Sequence, residues 1–227
     1  QLNTALNKNP KSIILLIGTT GAGKSSVVNA LTGKNTCNAS SSVAITREVC
    51  FASDEEGNFY IEPHGLLDGT GISNIVLNLV ADILETNGLN LILFVTRSRV
   101  TSDLAQNVTL TKELFPTVPI VIVKTGADGE DYNDFDPQPF TDLFLPEREV
   151  GFCFGTFKNN GPLNEFVPGS VARLKAKIID YKSPKRIFEH DLKARINAFI
   201  KTTIGAVCHI WKASQDLLTN WNKLNRG

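Results

Sequence analysis

Methionine is absent from the 227 residues, so the chain reads as one whose initiator has been removed or as an excised stretch, which leaves open whether the native chain extends beyond these termini. Long apolar runs are absent too. None approaches the ~20 residues that cross a bilayer, and no membrane span is expected. Gln1-Leu2-Asn3 has neither the basic start nor the apolar stretch of a signal peptide. Cysteine is scarce: Cys37, Cys50, Cys153 and Cys208 show no paired spacing. That argues against a zinc site or a disulfide framework and for a reducing compartment. A cytoplasmic location, at most peripheral on a membrane surface, is the expectation. The two glycosylation sequons, at Asn38 and Asn107, matter only on secretion and are read as chance.

An excess of one charge is also missing, since 23 Lys/Arg balance 23 Asp/Glu. The balance is uneven along the chain. Residues 181–227 carry nine Lys/Arg against three Asp/Glu, and residues 128–149 carry eight acids and one arginine. Two solvated faces explain this most simply. The sharper reading is that the basic tail meets an acidic protein partner, an anionic membrane surface or the acidic stretch itself. No nucleic-acid partner is expected. Hydrophobic residues at 42% and charged ones at 20% mark a globular chain with a substantial core and exclude a disordered one.

What is present is an alternation of short apolar runs with helical patterns, the signature of a sheet with crossover helices. Strands are expected at Ser12–Ile17, Glu48–Ser53, Phe59–Leu67, Asn90–Thr96, Ile120–Lys124 and Val150–Phe154. The runs 89–95 and 118–123 are apolar on consecutive residues, as strands buried on both faces must be. Helices are expected at Lys24–Leu31, Ser73–Glu85, Asp103–Phe115 and Ser170–Asp180, with Ser73 and Ser102 as N-caps. Beyond Pro184 apolar residues recur every three to four positions from Phe188 through Leu192, Ile196 and Phe199 to Trp221. This is an amphipathic helical region. Packing on the main domain is its simplest role; a dimer contact or a membrane-surface helix is the alternative.

The chemistry is concentrated in residues 18–25. Gly18-Thr19-Thr20-Gly21-Ala22-Gly23-Lys24-Ser25 satisfies G-x-x-x-x-G-K-[ST] between an expected strand and an expected helix. Glycines let the backbone curl so that N–H groups surround phosphates. The lysine brings a cation to the β/γ oxygens, the Ser25 hydroxyl is a magnesium ligand, and the following helix, which includes Ser26, adds its positive end. Asp68-Gly69-Thr70-Gly71 fits D-x-x-G, with the Asp68 carboxylate expected at a magnesium-bound water and the Gly71 N–H at the γ-phosphate. Thr46, between the loop helix and the next strand, is suited to complete the magnesium shell. Thr125-Gly126-Ala127-Asp128 stands where guanine sites have [NT]-K-x-D. There Asp128 can accept from guanine N1–H and the 2-amino group, a donor pair adenine lacks. Turn formation at Asp128-Gly129 is the competing explanation.

Three stretches resemble the immunity-associated nucleotide-binding GTPases, the GIMAP or avrRpt2-induced type, related to septins and to the chloroplast import (Toc) receptors. GTTGAGKSSVVNALTGK (18–34) is similar to their loop-helix, and SSVAITRE (41–48) to their serine-rich switch. LILFVTRSRVTSDLAQNVTLTKELF (91–115) resembles the family-specific box, its turn reading Arg99-Val100-Thr101. The resemblance covers roughly residues 11–180. Departures are Asp68-Gly69-Thr70-Gly71 where the family has Asp-Thr-Pro-Gly, and Gly126 where it has a basic residue. Phe157-Lys158-Asn159 resembles its aromatic-Asn stretch near the base.

The resemblance implies an α/β three-layer P-loop NTPase fold of Ras-like GTPase type, with a mostly parallel six-stranded sheet and a C-terminal helical extension. The domains would be residues 1–10 as an N-terminal extension, 11–180 as the G domain and 181–227 as the basic helical extension. It further implies a magnesium-dependent GTPase, GTP or GDP as ligand, and a GTP-dependent homodimer through the nucleotide face. Ile72, not glutamine, follows Gly71, so hydrolysis by a monomer is expected to be slow. The residues expected to carry it are Lys24, Thr46 and Arg99, with Arg47 as the other arginine a partner could supply. A GTP-dependent assembly module with negligible turnover is the alternative, and a P-loop ATPase or kinase ranks last.

Overall fold

The computed structural model describes residues 10–19, 21–37, 49–63, 74–97, 102–125, 138–143, 150–154, 157–158, 165–166 and 169–198. Strand β1 (Ser12–Ile17) is buried along its whole length, as are β4 (Leu91–Thr96) and β5 (Ile120–Lys124). These are the runs with no polar alternation, and burial on both faces is the reason for it. With β2 (Val49–Ser53), β3 (Asn58–Pro63) and β6 (Val150–Phe154) they form a six-stranded sheet in the order β2-β3-β1-β4-β5-β6. Only the edge pair β2–β3 is antiparallel; every other pair is parallel.

The two faces of the sheet carry separate cores. Ile13, Leu15, Ile17, Phe59, Ile61, Ile92, Phe94, Ile120 and Ile122 pack against helices α2 (Asn74–Asn87) and α3 (Ser102–Leu114). The alternate residues Ile14, Leu16, Tyr60, Leu93, Val95 and Val121 meet α1 (Lys24–Thr32) and α5 (Ser170–Tyr181). The result is a three-layer α/β fold, a mostly parallel sheet with helices on both faces. A short helix, α4 (Gln138–Thr141), lies within the acidic stretch, and β7 (Phe157–Lys158) pairs antiparallel with β8 (Glu165–Phe166) as a ribbon outside the main sheet. None of these three short elements is announced by periodicity.

Beyond α5 the described residues, 182–198, stay on the domain. Ile187 exchanges both backbone bonds with Leu89 at 2.8 Å, and Asn90 exchanges its backbone and side chain with Ser183 at 2.9 Å. A helical stretch over 192–198 then inserts Leu192 and Ile196 into the α2–α3 core. Glu189 accepts from the Thr117 hydroxyl at 2.9 Å and pairs with Arg195 at 3.0 Å. The first part of the basic region thus packs on the main domain; residues 199–227 lie outside the described residues.

One expectation needs correction and one falls outside the described residues. Strand β3 is described over Asn58–Pro63, and its expected continuation through Leu67 lies outside the described residues. The cysteines are not all unpaired: Cys37 and Cys50 form a disulfide. They sit 13 positions apart, but β2 returns beside α1 and its register sets Cys50 opposite Glu62. The cysteine argument for a reducing compartment therefore does not hold. Among the described residues no helix is long and apolar enough to cross a membrane.

Candidate nucleotide-binding site

The strand order reverses beside β1, which has β3 on one side and β4 on the other. Open α/β sheets bind ligands at such a point, beyond the carboxyl ends of the strands. The phosphate loop leaves β1 there. At Gly18 any Cβ would stand 2.1 Å from the Val95 carbonyl oxygen, so the close pass of the loop over β4 admits only glycine. Gly23 takes a left-handed conformation, φ 93°, as the N-cap of α1. No side chain caps this helix and its first turn holds no acid, so its first N–H groups and positive end are directed to whatever anion binds.

Lys24, the first residue of α1, is 6% exposed. Its Nζ donates to the carbonyls of Gly18 at 2.7 Å and Thr19 at 2.9 Å. Two carbonyl contacts fix the ammonium inside the curl of the loop, where a phosphate would meet it. The loop is closed on itself by Ala22 N donating to Thr19 O at 3.1 Å.

Ser25 Oγ donates to Glu62 Oε1 at 2.7 Å. Glu62, 1% exposed, is the penultimate residue of β3. A hydroxyl and a carboxylate in contact at the loop are hard oxygen donors, the set that suits magnesium. The carboxylate that meets Ser25 is therefore one that sequence reasoning missed. The signal was present: Glu62-Pro63-His64-Gly65 has an acid three residues before a glycine at the end of an apolar run, but with glutamate for aspartate. Asp68 and Gly71 lie outside the described residues.

From the base side, Thr125 at the end of β5 donates its hydroxyl to Ala22 O at 2.5 Å, and its side chain abuts Gly23. Its backbone N–H bonds Thr96 O at 2.8 Å. The segment that opens the expected base motif is thus tied to the phosphate loop and to β4. Buried Lys124 reinforces this by donating to Arg97 O at 2.8 Å. The structure brings together Gly18, Thr19, Gly21, Ala22, Gly23, Lys24, Ser25 and Thr125 at one end of the sheet. Ser26 follows on α1. Thr20, Thr46, Arg47, Arg99, Gly126 and Asp128 lie outside the described residues, as does Asn159.

Comparison with known proteins agrees with this geometry. Residues 13–125 match the family model described as 50S ribosome-binding GTPase. No curated protein matches the chain. Among solved structures, Toc33 from Arabidopsis thaliana in complex with GDP and Mg2+ is 19% identical with a TM-score of 0.53, over 81% of this chain and 92% of that one. Toc33 in complex with Mg2+ and GMPPNP is 19% identical with a TM-score of 0.50, over 80% and 92%. A dimerization-deficient mutant of Toc33 is 17% identical with a TM-score of 0.52, over 80% and 91%. At such identities the likeness is one of fold. With the match over 13–125 and the phosphate loop in place, the chain is a P-loop GTPase-fold protein carrying a GTP-binding GTPase domain.

Proposed function

We propose that this protein is a GTP-dependent switch of the GIMAP and Toc type, slow to hydrolyse GTP alone and completed by a second copy across the nucleotide face. The observation that carries the reading is the loop at 18–25, with the Lys24 ammonium held inside it and the Ser25 hydroxyl on the Glu62 carboxylate. Ser25 and Glu62 would hold magnesium, Ser25 directly and Glu62 through a bound water, with Thr46 and Asp68 as the other candidates for its shell. Bound there, magnesium would neutralise charge on the β- and γ-phosphates. The chain's own part is positional. Gly21 and Gly23 offer backbone N–H groups, Lys24 supplies a fixed cation, and Thr125 holds the base loop so that Asp128 can read guanine.

Neither of the two acid-x-x-Gly segments is followed by glutamine: Leu66 follows Gly65 and Ile72 follows Gly71. No side chain at those positions can orient an attacking water. That favours completion in trans, with Arg99 or Arg47 as the arginine, and the existence of a dimerization-deficient Toc33 supports the idea of pairing. The same absence supports the second reading, a GTP-dependent assembly module with negligible turnover. Calorimetry with GTP, GDP and ATP in Mg2+ is the primary test. Guanine nucleotides are expected to bind and ATP to bind at least tenfold more weakly, a factor of about 1.4 kcal/mol. Tighter binding of ATP would overturn the role of Asp128. Turnover per molecule should rise with protein concentration; a flat profile would remove the dimer from the hydrolytic reading.

A further inference from the structure

Nothing in phosphate binding calls for the Cys37–Cys50 disulfide, yet it stands beside the magnesium-side carboxylate. Cys50 is the direct cross-strand partner of Glu62 in the β2–β3 ladder. Both sulfurs and a Glu62 carboxylate oxygen lie within 4.8 Å of one another, and the same carboxylate accepts from Ser25 at 2.7 Å. Cys37 is held from the other side by α1: Asn29 Oδ1 accepts from Cys37 N at 2.9 Å and from Thr36 N at 3.0 Å. Asn29 lies one helical turn after Ser25, on the same face of α1. All three groups are buried, with Cys37 at 4%, Cys50 at 8% and Glu62 at 1% exposure.

We propose that Cys37 and Cys50 form a reducible crosslink whose redox state sets how firmly the Ser25–Glu62 pair holds magnesium. This rests on the nucleotide-binding reading above. The step is thiol–disulfide exchange with an external thiol. The Cys37–Cys50 bond breaks, each cysteine sulfur gains one electron and one proton, and two reductant thiols become one disulfide. A disulfide has no S–H to donate. The dithiol carries two such donors, placed where they can address the Glu62 carboxylate. In a buried site of low dielectric each added donor counts more than it would in water. Lone pairs engaged by S–H are withdrawn from Ser25 and from a metal-bound water. The oxidised protein therefore holds magnesium with its nucleotide more firmly than the reduced one.

The test uses the full chain, oxidised or treated with dithiothreitol, with fluorescent GDP as probe and Mg2+ varied. Alkylation followed by mass spectrometry reports the crosslink. Without reductant, Cys37 and Cys50 are expected to resist alkylation and to appear as one linked peptide pair. Reduction is expected to raise the Mg2+ needed for half-maximal GDP retention by roughly threefold to tenfold, somewhat less than the loss of a whole outer-shell partner. GDP binding measured in EDTA should not change. The Cys37→Ala/Cys50→Ala double variant has no donor and no crosslink, so it should keep the lower Mg2+ requirement and ignore dithiothreitol. Alkylation of the pair without reductant, or a Mg2+ requirement that ignores redox state in the wild-type chain, overturns the proposal. If GDP is retained in neither state at any Mg2+ concentration, the nucleotide reading falls and takes the magnesium linkage with it. Retention that is indifferent to reduction removes the redox linkage alone.

Discussion

At the scale of single residues, position on the sheet sets a buried carboxylate against the phosphate loop. Glu62 is in contact with Ser25, and its neutral isostere tests that directly. Glu62→Gln keeps the shape and removes the charge, so the Mg2+ concentration needed for nucleotide retention should rise about tenfold to a hundredfold. A larger rise for Asp68→Asn than for Glu62→Gln in the same Mg2+ titration would assign the main role to Asp68 instead. Tyr60 gives a second residue-scale prediction. Its hydroxyl donates to Asp54 at 2.7 Å, while Asn58 donates to the same carboxylate from its backbone at 2.9 Å and its side chain at 2.7 Å. Burial first, and then the Asp54 bond, push the Tyr60 phenol far above its ordinary value. The folded state thus keeps a proton that the unfolded chain releases near pH 10. Stability should fall above that pH by about 1.4 kcal/mol per unit from this group. Tyr60→Phe should cost about 1 to 2 kcal/mol at neutral pH and lose that alkaline slope in denaturant titrations.

At the scale of elements, the site is made by how strands end. β1 closes with a glycine because β4 passes directly beneath it, and this is where a small change should do most harm. Gly18→Ala would put a methyl into the Val95 carbonyl, a backbone group that cannot swing aside. We expect a loss of at least about 2 to 3 kcal/mol in urea denaturation, with nucleotide binding impaired beyond what stability explains. Strands β1, β5 and β6 were legible to the residue, since an uninterrupted apolar run bounded by glycine, lysine or proline has one reading. The loop at 18–25 was legible for a different reason, that phosphate chemistry admits few residue types. β3 was less so. Its contact between Glu62 and Ser25 was missed because Glu62-Pro63-His64-Gly65 opens with glutamate where a D-x-x-G pattern wants aspartate, and Asp68 stands as a proposal. The disulfide was not legible at all, because it depends on the register of β2 against β3 and no local pattern states that register. The roles of Thr46, Asp128 and Arg99 rest on the resemblance and on spacing, and they stand as proposals.

At the scale of the whole molecule, the stretch after α5 belongs energetically to the sheet domain. Arg186 donates to the Pro10 and Asn87 carbonyls, Ile187 adds a bridge to Leu89, and Leu192 and Ile196 are buried at 0% and 4% exposure. The exposed Lys193–Asp82 pair at 2.8 Å adds little, as surface ion pairs do. The apolar insertions carry the weight: truncating one such side chain to alanine typically costs about 2 to 5 kcal/mol, against a total stability of about 5 to 15 kcal/mol. A chain ended after Lys182 loses both insertions together with the Asn90 and Glu189 contacts, and should be largely unfolded at 25 °C. Leu192→Ala in the full chain is the graded version. It should lower the urea midpoint by an amount equivalent to about 2 to 4 kcal/mol, with an unchanged slope, while GDP affinity measured below the transition stays as it was. The stretch after α5 joins the sheet at the end opposite the phosphate loop, through Asn90 bonded to Ile13 at the start of β1. A drop in GDP affinity without a drop in stability would therefore mean that this stretch reaches the nucleotide site through β1, and that the two ends of the sheet are coupled.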